Sequence, residues 1–131
     1  VTRSPKDLGR WGEALAAEYL LNRGYTIIAR NERTPYGEID LIAQQASQPD
    51  TDLKEAQGVT VFVEVKTRTS KKFGYPEQSV TAHKRENMVS SAQYYLQEHS
   101  DKDIDWRIDV IAIEQYGDQK PIIRHFENAL S

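Results

Sequence analysis

Three side chains stand where buried strands should carry none. Asp40 lies in Gly37-Glu38-Ile39-Asp40-Leu41-Ile42-Ala43, and Glu64 and Lys66 lie in Val61-Phe62-Val63-Glu64-Val65-Lys66-Thr67-Arg68. Both segments are otherwise apolar and rich in β-branched residues, the composition of core strands. Side chains of a strand alternate between its faces, so Glu38 and Asp40 are expected on one face of the first, and Glu64 and Lys66 on one face of the second. Val61, Val63 and Val65 take the opposite face. Pairing of the two strands would gather three carboxylates and one ammonium. Two carboxylates about 4 Å apart repel by about 4 kcal/mol at an effective dielectric of about 20. Such an arrangement calls for a cation, a shifted pKa or a salt bridge. Asp40 and Glu64, with the Val65 carbonyl between them in the pattern, are hard oxygen donors of the kind Mg²⁺ prefers. Lys66 beside such an ion would stabilise the charge of a phosphorane or orient an attacking water. In outline this is a site for phosphodiester hydrolysis. The Glu-x-Lys spacing is common by itself; its setting inside a valine-rich strand, with an aspartate on the preceding strand, gives it weight.

The elements that must position these residues follow from the chain order. Ser4-Pro5 and Asp7 open a first helix, with Ser4 as N-cap and Pro5 at the first helical position. Leu8, Trp11, Leu15, Tyr19 and Leu20 form its apolar stripe, and Gly24 stops it. Gly9 and Gly12 weaken a helix by up to about 1 kcal/mol each, which suggests close approach of another backbone. Glu13 lies off the centre of the stripe and reads, from periodicity, as a solvated charge. A strand over 25–30 and a turn over 31–36 predict an antiparallel hairpin into the Asp40 strand. Residues 44–58 are polar and read as a flexible loop, at about 45–58, joining the two charged strands. A second loop holds Lys71, Lys72, Phe73, Gly74 and Tyr75. That mixture suits phosphate contact and base stacking, and equally an ordinary turn with an aromatic lid.

A second helix is expected from Ser79 or Thr81 to about His99, with Val80, Met88, Ala92, Tyr95 and Leu96 on its apolar side. Lys84 reads as a solvated lysine at the edge of that side. A strand over 104–114 places Asp109 among apolar neighbours, where it should salt-bridge or cap something structural. A short strand over 121–126 is expected at a sheet edge. The predicted class is therefore α/β (α+β), a mixed central sheet flanked by helices in one domain over 1–131.

Composition narrows the classes of function. Charged residues at 28% and hydrophobic residues at 38% of 131 describe a soluble globular chain. No apolar run approaches the roughly 20 residues of a membrane helix, and the N-terminus lacks a signal-peptide core, so the expectation is a cytoplasmic protein without a membrane partner. Absence of cysteine excludes disulfides and thiolate metal sites and suits a reducing compartment. The net charge of -3 argues against a generally basic nucleic-acid binder. A local basic cleft is compatible with it, because Arg30, Arg33, Lys66, Arg68, Lys71, Lys72, Lys84 and Arg85 lie in or near the charged strands.

Asp40 followed by Glu64-Val65-Lys66, in a helix-strand-strand-strand-helix-strand order, resembles the PD-(D/E)XK superfamily of metal-dependent nucleases. More narrowly, Gly9-x-x-Gly12-Glu13-x-x-Ala16, Gly24-Tyr25, Arg30-Asn31, Gly37-Glu38-Ile39-Asp40-Leu41-Ile42, Phe62-Val63-Glu64-Val65-Lys66-x-Arg68, Lys84 and Arg107-x-Asp109-Val110 are similar to the YraN family. That family comprises small bacterial proteins related to archaeal Holliday-junction resolvases, and the likeness covers nearly the whole chain. It implies a restriction-endonuclease-like αβββαβ core. It implies Asp40, Glu64 and the Val65 carbonyl as ligands of Mg²⁺ or Mn²⁺, Lys66 as catalytic lysine, and Glu13 as a further active-site carboxylate from the first helix. Lys84 matches a position near the site suited to phosphate contact, and Arg68, Lys71 and Lys72 are the further candidates for contact with DNA. Ile39 replaces the proline of the superfamily label, a position that shapes the strand. Glu38 is an added acid that faces either the metal or an arginine. The activity implied is endonucleolytic cleavage of structured or branched DNA, with a homodimer as a candidate assembly because cutting both strands of a junction needs two sites. The competing reading is a catalytically inactive nuclease-fold module that binds nucleic acid or a recombination partner. A carboxylate-pair glycosidase would leave Lys66 without a role.

Overall fold

The computed structural model describes residues 4–45, 58–69, 81–99 and 104–129. The Ser4 hydroxyl accepts a hydrogen bond from the Asp7 amide at 3.1 Å, Pro5 occupies the first turn, and helix α1 spans Pro5–Asn22. Gly24, at φ 90°, takes the left-handed turn that lets the chain leave the helix directly for strand β1, Tyr25–Thr34. Strand β2 is Gly37–Gln45, β3 is Val59–Arg68, helix α2 is Ala82–His99, β4 is Trp106–Glu114 and β5 is Ile122–Phe126. The sheet order is β1-β2-β3-β4-β5. Among the described strands only the β3–β4 pair is parallel, as required by the α2 crossover between them. The fold is therefore α+β, a five-stranded mixed sheet with two helices, and it contains the expected αβββαβ order.

The strand alternation read from the sequence distributes the core. Leu41, Val61, Val63, Ile111 and Ile113 pack with Ala16, Ala17 and Leu20 of α1. Ile42, Phe62 and Ile108 pack with Ala92 of α2 and, at its margin, Met88, Tyr95 and Leu96. Thr81 caps α2 by accepting from the Lys84 amide at 3.2 Å. The described residues thus begin the helix where the sequence pattern puts it; Ser79 and Val80 lie outside them. So do residues 46–57, most of the expected flexible loop, and Lys71 and Lys72. Among the described residues no helix is long and apolar enough to cross a membrane.

Two local expectations are corrected. Residues 31–34 continue β1 instead of forming a turn, and the reversal falls on Pro35 and Tyr36. There the Thr34 hydroxyl donates to the Gly37 carbonyl at 2.7 Å and accepts from the Tyr36 amide at 3.1 Å. The polar run Asn31-Glu32-Arg33-Thr34 is tolerated because β1 lies at the sheet edge and half its side chains meet water. Asn31 carries the bend within the strand at φ 52°. The second correction concerns the helix glycines. A Cβ at Gly12 would run into the Thr67 side chain, whereas one at Gly9 meets nothing within 4 Å. Close approach is thus confined to Gly12, and it is to a β3 side chain.

Asp109 is fully buried and has the structural partners expected of it. Arg107 Nε donates to Oδ1 at 2.9 Å, His125 Nε2 lies 2.7 Å from Oδ2, and the Asn128 amide donates to Oδ1 at 2.9 Å. Burial alone would raise its pKa, but the bonds from His125, Arg107 and Asn128 outweigh it and hold Asp109 below the usual carboxylate range. Arg107 also donates to the Tyr25 hydroxyl at 2.8 Å and to Gln45 Oε1 at 3.0 Å, tying β4 to β1 and β2. Asp109→Ala leaves the guanidinium without its buried partner. It should destabilise the protein by about 3–5 kcal/mol and lower its melting temperature by about 10 °C or more, as measured by thermal unfolding. A change under about 2 °C would contradict this structural role.

Candidate functional site

The site forms where the sheet splits. Pairing between β2 and β3 runs from Gln45↔Val59 to Leu41↔Val63 and ends there, one residue short of Asp40 and Glu64. Each strand keeps its other neighbour beyond that point: β2 stays with β1 to Gly37, and β3 stays with β4 to Arg68. The Val65 amide, now without a strand partner on that side, donates to Asp40 Oδ2 at 2.8 Å. A side chain has thus replaced the next rung of the ladder. Because N–H and C=O of one strand residue point to the same side, the Val65 carbonyl faces the same opening.

Glu64 points to the α2 side with Phe62, and one of its oxygens collects two ammonium groups. Lys66 Nζ lies 3.1 Å and Lys84 Nζ 3.4 Å from Glu64 Oε1. The Lys66 and Glu64 side chains are 16% and 12% exposed, so this pair is largely withdrawn from solvent. Lys84 is more open, at 41%. The reading of Lys84 as an ordinary solvated lysine therefore gives way to one in which it reaches the strand carboxylate. Periodicity placed it at the helix edge but had no means of showing what stood opposite.

The electrostatic problem visible in the sequence raises the pKa of both carboxyls. Burial, then the neighbouring charge of Glu64, pushes Asp40 up to about 8, against the opposing effect of the Val65 hydrogen bond; Glu13 adds to the rise. Asp40 is also hydrogen-bonded to Glu64. Burial raises Glu64 as well, while Lys84 and the bond with Asp40 pull it partly back. Two buried carboxyls this close cannot both be charged without a cation.

A cleft of about 230 Å³ opens over this pair. Its walls include Tyr36, Glu38, Asp40, Glu64, Lys84, Asn87 and Ser91. The Ser91 hydroxyl lies in hydrogen-bond contact with the Thr34 hydroxyl, at 2.9 Å. Lys66 joins the cleft through Glu64. Arg68 does not line it and lies two residues farther along β3, where its charge acts on Tyr116.

Glu13 and Glu38 occupy the other side of the split. Strict alternation would have left Glu38 on the face of Asp40, but Ile39 packs with Ile42 and Phe62, so the pattern fails at the end of β2. The failure coincides with Asn31, which falls between the Arg30↔Leu41 and Glu32↔Ile39 pairs and has a left-handed backbone. With its amide nitrogen turned toward the surrounding acceptors, Asn31 donates to Glu13 at 2.8 and 3.2 Å and to Glu38 Oε1 at 2.9 Å. Glu38 also makes a long, exposed pair with Arg33 at 3.9 Å. Glu13 is half-buried, not a solvated helix charge. Burial raises its pKa first, the charges of Glu38 and Glu64 add to the rise, and Arg10 opposes it. Asn31 was legible only as half of an Arg-Asn motif; its part in joining two carboxylates needed the strand pairing.

Among the described residues no three His, Cys, Asp or Glu side chains form a metal-binding group by themselves. Asp40 and Glu64 would need backbone and water oxygens to complete a coordination shell. The donor chemistry nonetheless suits a hard divalent cation: the oxygens come from two carboxyls whose pKa values burial raises, and the direction of the Val65 amide turns its carbonyl toward the same opening.

The fold and this geometry define a class: an α+β protein with a carboxylate pair and a lysine in the opening of a split mixed sheet. The chain belongs to the uncharacterised protein family UPF0102, the YraN family of the sequence resemblance, whose model matches residues 12–113. It is similar to a UPF0102 protein of Syntrophotalea carbinolica, 40% identical over 122 residues, which span 93% of this chain and 89% of the relative. A UPF0102 protein of Thermodesulfovibrio yellowstonii is 43% identical over 123 residues, 94% of this chain and 95% of the relative. One of Chlorobium limicola is 44% identical over 110 residues, 83% of this chain and 76% of the relative.

A pH signature follows from Asp40. Between its ordinary 3.8 and about 8, the folded metal-free protein holds a proton that the unfolded chain has released. The unfolded state binds fewer protons there, so this group makes stability fall as pH rises through that window. Asp40→Asn keeps an oxygen for the Val65 amide and removes the charge. In metal-free thermal melts it should match the wild type near pH 5 and exceed it by about 3 °C or more at pH 8.5. Parallel pH profiles for the two proteins would show that Asp40 does not carry the shift.

Proposed function

We propose that this protein is a Mg²⁺- or Mn²⁺-dependent endonuclease that hydrolyses phosphodiester bonds in structured or branched DNA. The observation that carries this reading is the Asp40–Glu64 pair in the sheet opening, with Lys66 3.1 Å from Glu64. Asp40, Glu64 and the Val65 carbonyl would hold the ion. When bound, it supplies a Lewis acid for the phosphodiester and lowers the pKa of water.

The chain's own residues have separable tasks. The Val65 amide fixes one Asp40 oxygen, so the carboxylate is oriented before any substrate arrives. Lys66, 3.1 Å from Glu64, holds an ammonium beside the carboxylate pair, where it would stabilise the negative charge that develops on the phosphoryl oxygens. Lys84 stands at the wall of the cleft, where its long side chain reaches either Glu64 or a phosphate. Glu13, held by Asn31, adds negative potential behind Asp40 and favours a cation there.

A second reading is a nuclease-fold module that binds DNA or a recombination partner without cutting it. It is favoured by the ion pairs of Lys66 and Lys84 with Glu64, which engage that carboxylate within the chain. Incubation with single-stranded, duplex, flapped and four-way DNA in Mg²⁺ and in Mn²⁺ separates the two. The nuclease reading predicts cleavage that EDTA abolishes and that falls at least about 100-fold in Asp40→Ala, Glu64→Ala and Lys66→Ala. Cleavage unchanged in all three variants would assign the activity to a contaminant. Binding without turnover in either metal would establish the second reading.

A further inference from the structure

We infer that a hollow on α1 and β1, beside the Asp40–Glu64 cleft, is a second seat for the DNA backbone, engaging phosphates flanking the one to be hydrolysed. This rests on the proposal that DNA is the substrate of the cleft and extends it to the adjoining surface, with which the site shares Glu13 and Glu38. The hollow measures about 500 Å³ and includes Lys6, Gly9, Arg10, Glu13, Asn31 and Arg33 in its lining.

Four features point to a polyanion. Lys6, Gly9, Arg10 and Glu13 follow helical spacing, so α1 presents them along one face, and Arg33 meets them from the neighbouring strand. Among the described residues neither Lys6 nor Arg10 forms an ion pair, and Arg33 has only the 3.9 Å pair with Glu38 on a side chain that is 90% exposed. Three cations thus line the hollow without a close ion pair among the described residues, Arg10 acting on Glu13 only at longer range. The carboxylates of the inner wall, Glu13 and Glu38, are tied to one another through the Asn31 amide, and the cations of the lining outnumber them. Glu38 lines both the hollow and the cleft, making the two adjoining parts of one surface.

Gly9 supplies an independent argument. Glycine inside a helix is about 1 kcal/mol less favourable than alanine. At Gly12 the fold explains the residue, because a Cβ would strike Thr67; at Gly9 a Cβ would find open space. Packing among the described residues therefore gives no reason for the missing side chain. A ligand that lies against α1 does, since a phosphate on Lys6 and Arg10 would pass over that bare turn of helix.

The discriminating experiment is DNA binding by the full chain in EDTA, by fluorescence anisotropy across a salt series, alongside cleavage in Mg²⁺ and Mn²⁺. Lys6→Gln with Arg10→Gln should lower the slope of log K against log salt by about 0.9 for each lost phosphate contact on duplex DNA, and weaken binding about tenfold at 0.1 M salt. Gly9→Gln should melt higher than the wild type, because the helix is improved, yet bind more weakly, because the hollow is filled. A merely structural role for Gly9 predicts no such opposition. If the wild type binds and cuts while both variants bind with unchanged affinity and slope, the hollow is not a DNA seat and the nuclease proposal stands. If the variants lose binding as expected but the wild type never cuts, the seat stands and hydrolysis falls. A wild type that neither binds DNA in EDTA nor cuts it in either metal overturns both.

Discussion

The hydrogen bond from the Val65 amide to Asp40 is the contact on which the site depends. A β-ladder ordinarily satisfies every backbone donor along it, and a strand that leaves its neighbour must find another acceptor. Here β2 and β3 part after Leu41↔Val63, and Asp40 accepts the amide that would otherwise be orphaned. The opening is held by this replacement, and the same carboxylate is brought against Glu64. A charged residue in a core strand thereby satisfies a backbone donor and offers further oxygen capacity toward the cleft.

The charged clusters around Asp109 and around Asp40 contrast in physical terms. Asp109 is surrounded by donors from Arg107, His125 and Asn128, and its pKa is held down. Asp40 has one backbone donor against two neighbouring carboxylates, and its pKa is pushed up to about 8. The first cluster is electrostatically complete and joins β4 to the chain's last described segment and to β1 and β2. The second is deficient in positive charge even with Lys66 and Lys84 on Glu64. A shortfall of that kind, in a cleft open to solvent, is where a cation is expected to bind, and it underlies the functional proposal.

Much of this was legible in the sequence because strand alternation is a short-range rule. It put Glu64 and Lys66 on one face, separated the valines to the other, and placed Asp109 among apolar residues that oblige it to find partners. The αβββαβ order followed from the same periodicities and from capping at Ser4 and Thr81. What escaped was governed by contacts between distant segments. Glu13 read as a surface charge because helical periodicity cannot show that Asn31 stands opposite it; only the family resemblance singled it out. Lys84 was hidden for the same reason. Glu38 was assigned to the face of Asp40, and the left-handed Asn31 and the loss of β3 pairing undo that alternation at the strand end. The extension of β1 past residue 30 was missed because a polar run at a sheet edge has the composition of a turn.

The central claim is that the oxygens around the split between β2 and β3 hold one divalent cation. Mn²⁺ titrated into uniformly ¹⁵N-labelled protein tests it without reference to any substrate, because the paramagnetic ion broadens amide signals according to distance. The account predicts that the signals of Asp40, Glu64, Val65 and Lys66 disappear first, at substoichiometric metal, and that they persist in Asp40→Asn. Broadening confined to the acidic surface residues, with the Val65 amide left sharp, would contradict it.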